Sequence, residues 1–467
     1  VRNSVKTPTG TLPFLASYSQ SYTNAAQSPD GLPNYLLRNP QTVIAGLNSA
    51  NVVNTNSTDT LVPGIGLTTI DPNYPPAHVK QANLTIEQPI KGGVFRITYL
   101  FTHGSNLDQN YQFNVGPSAY IWETTTGTAL PTGRYASTAT RPYDQTTWGT
   151  NVISTKYGFS NDSALQLDFQ RRFNKGYAFQ VFYVYSRAFR VGGNTFRDNP
   201  LYPASAYLPG TIPAGMDVGT LEHPSEEFNR WQNYHQDTDI PKHHISFNGV
   251  VDLPFGKGKP LLRNSRGLVD AVFGGYQVAF IGNILSQSFT INSGNWGPSS
   301  DITLYKNKVP ITDCRSGVCR DAYMWFNGYI APNLVNASKG VMGVPADYVP
   351  YQTPINNTPG TKDFGNNNVM VTLKDGTTVP AGYSPGPQGL NPFSHTVLPG
   401  PFNYIADLSI YKTFSITEGI KLRFNIDAFN AFNIQGLKIP DATTGIENLQ
   451  NSYWTPRQVQ FSLRLTF

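Results

Sequence analysis

Between Arg457 and Phe467 the chain alternates strictly. Val459, Phe461, Leu463, Leu465 and Phe467 are apolar, and Gln458, Gln460, Ser462, Arg464 and Thr466 are polar. A period of two describes a strand with one face in an apolar medium and the other in water. The same period recurs upstream. Ile420, Leu422, Phe424, Ile426 and Ala428 alternate with Lys421, Arg423, Asn425 and Asp427, and Leu408, Ile410, Phe414 and Ile416 with Asp407, Ser409 and Thr413. Further back, Ile245 to Leu253 and Tyr276 to Ile284 form one pair of strands. A second pair runs through Leu165–Phe173, turns at Asn174-Lys175-Gly176 and returns through Tyr177–Tyr185. A first hairpin runs from His78 to Gln88, turns near Lys91-Gly92-Gly93 and returns to Phe101. The pattern therefore predicts about nine or ten strands, each long enough to cross a bilayer at a tilt.

The connections fall into two classes. Turns near Gly92, Lys175 and Glu418 are a few residues long, whereas the segments at about 105–159, 191–241, 291–401 and 434–456 are long. Long and short alternate throughout if residues 255–275 count as one extended short-side connection. Transmembrane β-barrels have this asymmetry, with short turns on the periplasmic side and long loops outside. Residues 1–77, rich in Asn, Ser, Pro and Gly, are expected to be mainly extracellular loop with one first strand, and residues 78–467 the barrel strands and their loops. Nine or ten strands with lipid-facing edges cannot stand alone in a membrane, so the chain is expected to be the C-terminal part of a larger barrel.

Composition fits the same class. Only 13% of residues are charged, about half the share usual in soluble domains, and 13% are aromatic, with 42 Gly and 36 Pro. A mean hydropathy of −0.31 suits a barrel, because half of each strand and all the loops face water. No run approaches 18 apolar residues, which excludes a transmembrane helix, and Val1 to Lys6 do not read as a secretory signal. The net charge of +5 is spread thinly, with no basic cluster interleaved with aromatics that would point to nucleic acid.

Five segments, in order, carry a family resemblance: Pro75 to Gln88, Asn161 to Gly176, His243 to Gly258, Gly274-Gly275-Tyr276-Gln277-Val278, and Ile420 to Asn433 with its Phe429-Asn430-Ala431-Phe432-Asn433 ending. Together they resemble the C-terminal barrel region of the Oar-like TonB-dependent receptors. The resemblance implies an all-β, antiparallel outer-membrane barrel of about 22 strands around an N-terminal plug. It implies energy-coupled uptake of a ligand, driven by a TonB complex that engages an N-terminal region absent from this chain. It also implies that Val459, Phe461, Leu463, Leu465 and Phe467 form the signal read by the barrel assembly machinery. A surface binding or adhesion protein acting through its long loops, and a passive channel, are the alternatives.

Candidate chemistry is sparse. Adjacent His243 and His244 point to opposite faces of a strand and cannot converge on one ion, and no catalytic set is read. The expectation is a protein that is not an enzyme and carries no cofactor or metal. Asp168, Arg172, Lys421, Arg423, Asp427 and Arg464 are expected to face the lumen. Loop aromatics, namely Trp122, Tyr135, Trp148, Trp231, Trp296, Trp325 and Tyr329, are the candidates for ligand contact, since binding residues concentrate on loops. Cys314 and Cys319 frame Cys-Arg-Ser-Gly-Val-Cys, whose Gly allows the tight reversal of a local disulfide in an oxidising compartment. Free thiols or a metal site are the other readings, although a metal would require ligands from elsewhere.

Overall fold

The computed structural model describes residues 65–132, 140–142, 148–191, 200–291, 296–299, 301–354, 368–386, 396–450 and 452–467. Tyr135 and the N-terminal 64 residues lie outside them, as do the side chains of Trp148 and Trp296.

Among the described residues, nine long strands build one wall: β1 (His78–Ile90), β2 (Gly93–Gln112), β3 (Trp148–Asn174), β4 (Tyr177–Val191), β5 (His243–Asp252), β6 (Tyr276–Thr290), β7 (Val397–Ser415), β8 (Lys421–Phe429) and β9 (Gln458–Thr466). They pair in chain order, each antiparallel to the next. Two short strands extend the sheet off this path. His235–Gln236 pairs with β4, and Ile65–Ile70 lies parallel to the start of β3 rather than pairing with β1.

Register explains why the alternation matters. The pairs Ile86–Ile97, Ile97–Leu167, Leu167–Tyr183, Tyr183–Ile245, Ile245–Ile284 and Ile284–Tyr404 carry one apolar row across seven strands. On the opposite face, Glu87 pairs with Arg96 and Arg96 with Asp168, while Ser409 pairs with Asp427 and Asp427 with Gln460. A slip of one residue anywhere would turn a charged face into the apolar medium, so the pattern itself holds the register. The apolar face is open: Leu84, Phe461 and Leu463 are 67%, 66% and 67% exposed. A continuous apolar band of this kind requires lipid rather than water against it. No long helix crosses a membrane among the described residues, which has no bearing on a wall built of strands.

One end of the wall is closed tightly. At Asn174-Lys175-Gly176 the backbone takes positive φ at Lys175 (56°) and Gly176 (87°), the conformation of a two-residue hairpin turn whose twist matches its strands. At the other end β2 and β3 run far beyond the bilayer. β3 has 27 residues, more than twice the ~9–11 that a crossing needs. Residues 105–112 and 148–159, expected as loop, are therefore strand. Register shifts between Gly104 and Leu107 and between Leu107 and Gln109, with Asn106 at φ 55°, break the period of two there and hide the strand from a periodicity reading.

The expected loop 291–401 is also largely built. Strands Leu304–Asp313, Arg320–Phe326, Val341–Met342 and Ile446–Asn448 form a four-stranded sheet, the last of them supplied by the connection between β8 and β9. Ile311, Ala322, Met324, Ile330, Val341, Val344 and Ile446 pack its core. A second cluster, Phe289, Ile291, Trp325, Phe326, Tyr351 and Leu398, ties this cap to the ends of β6 and β7 remote from the tight turns. The Cys314–Cys319 disulfide is formed, at the tip of the hairpin between the first two cap strands.

Candidate functional site

The polar face, the face that lines the lumen in a barrel wall, carries the first candidate groups. Arg96 binds Glu87 (Nε–Oε2 2.6 Å) and Asp168 (Nη1–Oδ2 2.7 Å), and Gln180 donates to the second oxygen of Asp168 at 2.8 Å. Both carboxylate oxygens of the buried Asp168 are thus satisfied by neighbouring strands, which fits a bracing role. Asp427 accepts from Ser409 Oγ at 2.5 Å. Arg423 lies 3.9 Å from the centroid of the Tyr411 ring and donates to Asn425 Oδ1 at 2.8 Å. Arg172, Lys421 and Arg464 are exposed. In register, Arg423 stands directly opposite Arg464, a like-charge pair that requires water or an anion in front of it.

The cap carries a cavity of about 590 Å³, lined by Asp313, Arg315, Asp441, Thr444, Glu447 and Asn448 among others. Arg315 clasps Asp313 with two hydrogen bonds of 2.9 Å, which hold the Asp313 carboxyl below the usual carboxylate range. Asp441 accepts from the backbone N–H and the hydroxyl of Thr444, at 2.7 and 2.8 Å, and so shapes the turn before Ile446. Glu447 is different: it is 1% exposed, and its Oε2 has no hydrogen-bond partner among the described residues. Burial pushes its carboxyl up to about 8, so at neutral pH it is largely a protonated acid.

A second cavity, of about 350 Å³, lies where β2 and β3 rise beyond the wall, between His103, Lys156, Tyr157, Asn161 and the helix α2 (Glu226–Asn233). Ser225 caps that helix by accepting from Phe228 N at 3.0 Å, and Glu226 in its first turn suits the helix dipole. Asn229 docks α2 to the wall through a reciprocal amide pair with Gln109, at 2.9 Å in both directions.

Among the described residues, the expected ligand aromatics Trp122, Trp231, Trp325 and Tyr329 are not brought together. Trp325 and Tyr329 are buried, and Trp325 Nε1 donates to Pro399 O at 2.8 Å, so both are core residues of the cap and not surface contacts. The reason is the unexpected sheet, which needs large apolar side chains of its own. Trp231 stacks on Phe228 at 5.6 Å within a cluster that includes Tyr207. Trp122, on α1 (Ala119–Thr126), alone of the set lines a described cavity, one of about 400 Å³ shared with Ile121, Tyr207 and Leu208. Asp313, Asp441 and Glu447 escaped sequence reasoning because two of them stand more than 120 residues beyond the third. The signal available was the disulfide hairpin, which marks a folded unit rather than a loose loop.

A model of the outer membrane beta barrel domain matches residues 2–460. The chain belongs to that family. Its site of residence is accordingly the outer membrane, and the open apolar face of the wall is its lipid-facing surface. Among solved structures, the outer membrane transporter YddB from Escherichia coli is similar at 8% identity and a TM-score of 0.35, over 87% of this chain and 34% of that one. The pyoverdine outer membrane receptor FpvA from Pseudomonas aeruginosa PAO1, bound to pyoverdine, gives 9% identity and a TM-score of 0.32, over 84% and 30%. The chain thus spans about a third of the length of these two proteins. No curated protein matches the sequence.

Proposed function

We propose that this chain is the barrel part of a TonB-dependent receptor of the Oar-like type, within a wall of about 22 strands, that takes up a ligand captured on its outer side. The reading rests on the resemblance of the five wall segments and on one observation above all. The long connections are folded into a cap with its own core and cavities, whereas among the described residues the opposite end of the wall has three tight turns and one compact connection, residues 253–275. A passive pore has no need of such a receptor surface. Energy from a TonB complex, delivered through a region outside this chain, and assembly through β9 belong to the same proposal. Ligand transfer, not bond chemistry, is the role assigned.

Surface binding without passage is the second reading, favoured by the same built cap. The two separate in one experiment. Cells with and without the intact parent gene, each with and without a working TonB complex, are incubated with a panel of labelled nutrients. The uptake reading expects at least one compound whose accumulation needs both components. Binding that persists without TonB, with no accumulation, supports the surface reading. Accumulation of small solutes regardless of TonB supports a passive channel and contradicts the proposal.

A further inference from the structure

Lys412 occupies an odd place in the wall. Its register partners are Tyr276 on β6 and Phe424 on β8, and Phe424 in turn pairs with Leu463 on β9. Its neighbours on the same face of β7 are the exposed Ile410 and Phe414. Lys412 is thus a cation set into an apolar row on the lipid-facing side, where a charge must find a partner. It is only 6% exposed. Its ammonium donates to Asp270 O at 3.2 Å and to Ala271 O, and lies 5.0 Å from the Tyr276 ring centroid. Those two carbonyls belong to the helix α3 (Leu268–Phe273), in the connection between β5 and β6. That connection, at the short-turn end, therefore does not hang below the wall. It folds back against the outer face.

The connection is a structured unit. Gly256 N donates to Leu261 O and Gly258 N to Arg263 O, both at 3.0 Å, and Leu261 N donates to Pro254 O at 2.8 Å. Asp270 Oδ1 accepts from Lys257 N at 2.6 Å and from Ser265 Oγ at 2.9 Å. Gly256 sits at φ +113°, and a Cβ there would lie 2.5 Å from Gly274 Cα, so the two ends of the unit pack backbone to backbone. With its polar groups turned inward, the unit presents Leu268 at 83% exposure and Phe273 at 58%, with Val269 and Val272 between them. Arg263 and Arg266 are exposed beside this apolar patch and form no ion pair with the described residues.

We propose that the β5–β6 connection is a membrane foot: Leu268, Val269, Val272 and Phe273 enter the periplasmic leaflet beside the wall, and Arg263, Arg266 and Lys257 bind anionic phospholipid headgroups. Continuity with the lipid-facing row through Lys412 selects lipid as the occupant, and the local charge selects an anionic headgroup. Apolar side chains toward the acyl chains with cations beside them for the headgroups is the composition of an interfacial anchor.

Two measurements on the full chain test the foot. In native mass spectrometry from detergent with equal phosphatidylglycerol and phosphatidylcholine, the protein is expected to retain the anionic lipid preferentially. Arg263→Gln with Arg266→Gln is expected to cut that preference roughly tenfold or more, with heat-modifiable mobility on gels reporting that the wall remains folded. Equal retention of both lipids by the unaltered chain, or an unchanged preference in the double variant, overturns the headgroup assignment. Separately, a fluorophore on Val272→Cys in vesicles is expected to be quenched by brominated acyl chains and spared by aqueous iodide. The reverse result overturns insertion. A dimer lost in Leu268→Ser with Phe273→Ser would also overturn the proposal, assigning the face to a second copy.

Discussion

The wall and the cap solve the burial problem in opposite ways. Strand β9 exposes Val459, Phe461, Leu463 and Leu465, because the lipid serves as the apolar medium for one face of each strand. In the cap, Met324, Phe326 and Val341 are fully buried, because a sheet surrounded by water must pack its own core. Polar groups invert in the same way. Asp168 in the wall is braced by Arg96 and Gln180, whereas Glu447 in the cap is buried with an oxygen that has no described partner. The difference teaches that one chain can carry two solvents' rules, divided where β6 and β7 leave the bilayer.

Four variants break or sharpen that contrast. Phe326→Ala removes a fully buried ring from the cluster joining the cap to β6 and β7. It is expected to cost about 3–5 kcal/mol of cap stability, seen as protease sensitivity of the cap with the wall's heat-modifiable mobility unchanged. Leu463→Arg places a charge on the lipid face and is expected to cost about 2–4 kcal/mol, read as loss of folded protein in vesicle refolding, while the cap core is untouched.

Glu447→Gln tests the buried acid. In the folded cap its pKa is raised to about 8, so between the ordinary value of 4.5 and about 8 the folded state holds a proton that the unfolded chain releases. Stability must therefore fall as pH rises through that window. At pH 5 the variant and the unaltered chain should differ little, and at pH 9 the Gln variant should be more stable, on the order of 3 kcal/mol. Chemical denaturation followed by protease sensitivity of the cap at each pH checks this, and a pH-independent difference would refute the assignment. Cys314→Ala with Cys319→Ala should have the smallest effect, about 2 kcal/mol from the short loop it opens, confined to the cap.

The same contrast decides what could be read from the sequence. All nine wall strands were legible, because lipid on one side and water on the other imposes a period of two. The upper parts of β2 and β3 were not, since bulges around Asn106 break the period and Asp108, Gln109 and Asn110 are polar. The cap was hidden for a different reason. Its strands are short, Arg320–Phe326 is buried along most of its length with no alternation to detect, and Ile446–Asn448 joins from more than 100 residues away. Of the site, the alternation of charges with apolar residues was readable in the sequence, and Asp168, Arg423 and Asp427 contact neighbouring strands. Trp325 and Tyr329 were misplaced because an aromatic in a long connection looks the same whether it awaits a ligand or fills a core.

The orientation of the two regions is tested most directly by labelling intact cells with a membrane-impermeant maleimide. Thr378→Cys lies on an exposed strand of a long connection, and Glu418→Cys in the short turn between β7 and β8. The account expects Thr378→Cys to react in intact cells and Glu418→Cys to react only after the outer membrane is permeabilised. Labelling of Glu418→Cys in intact cells, with Thr378→Cys protected, would contradict it.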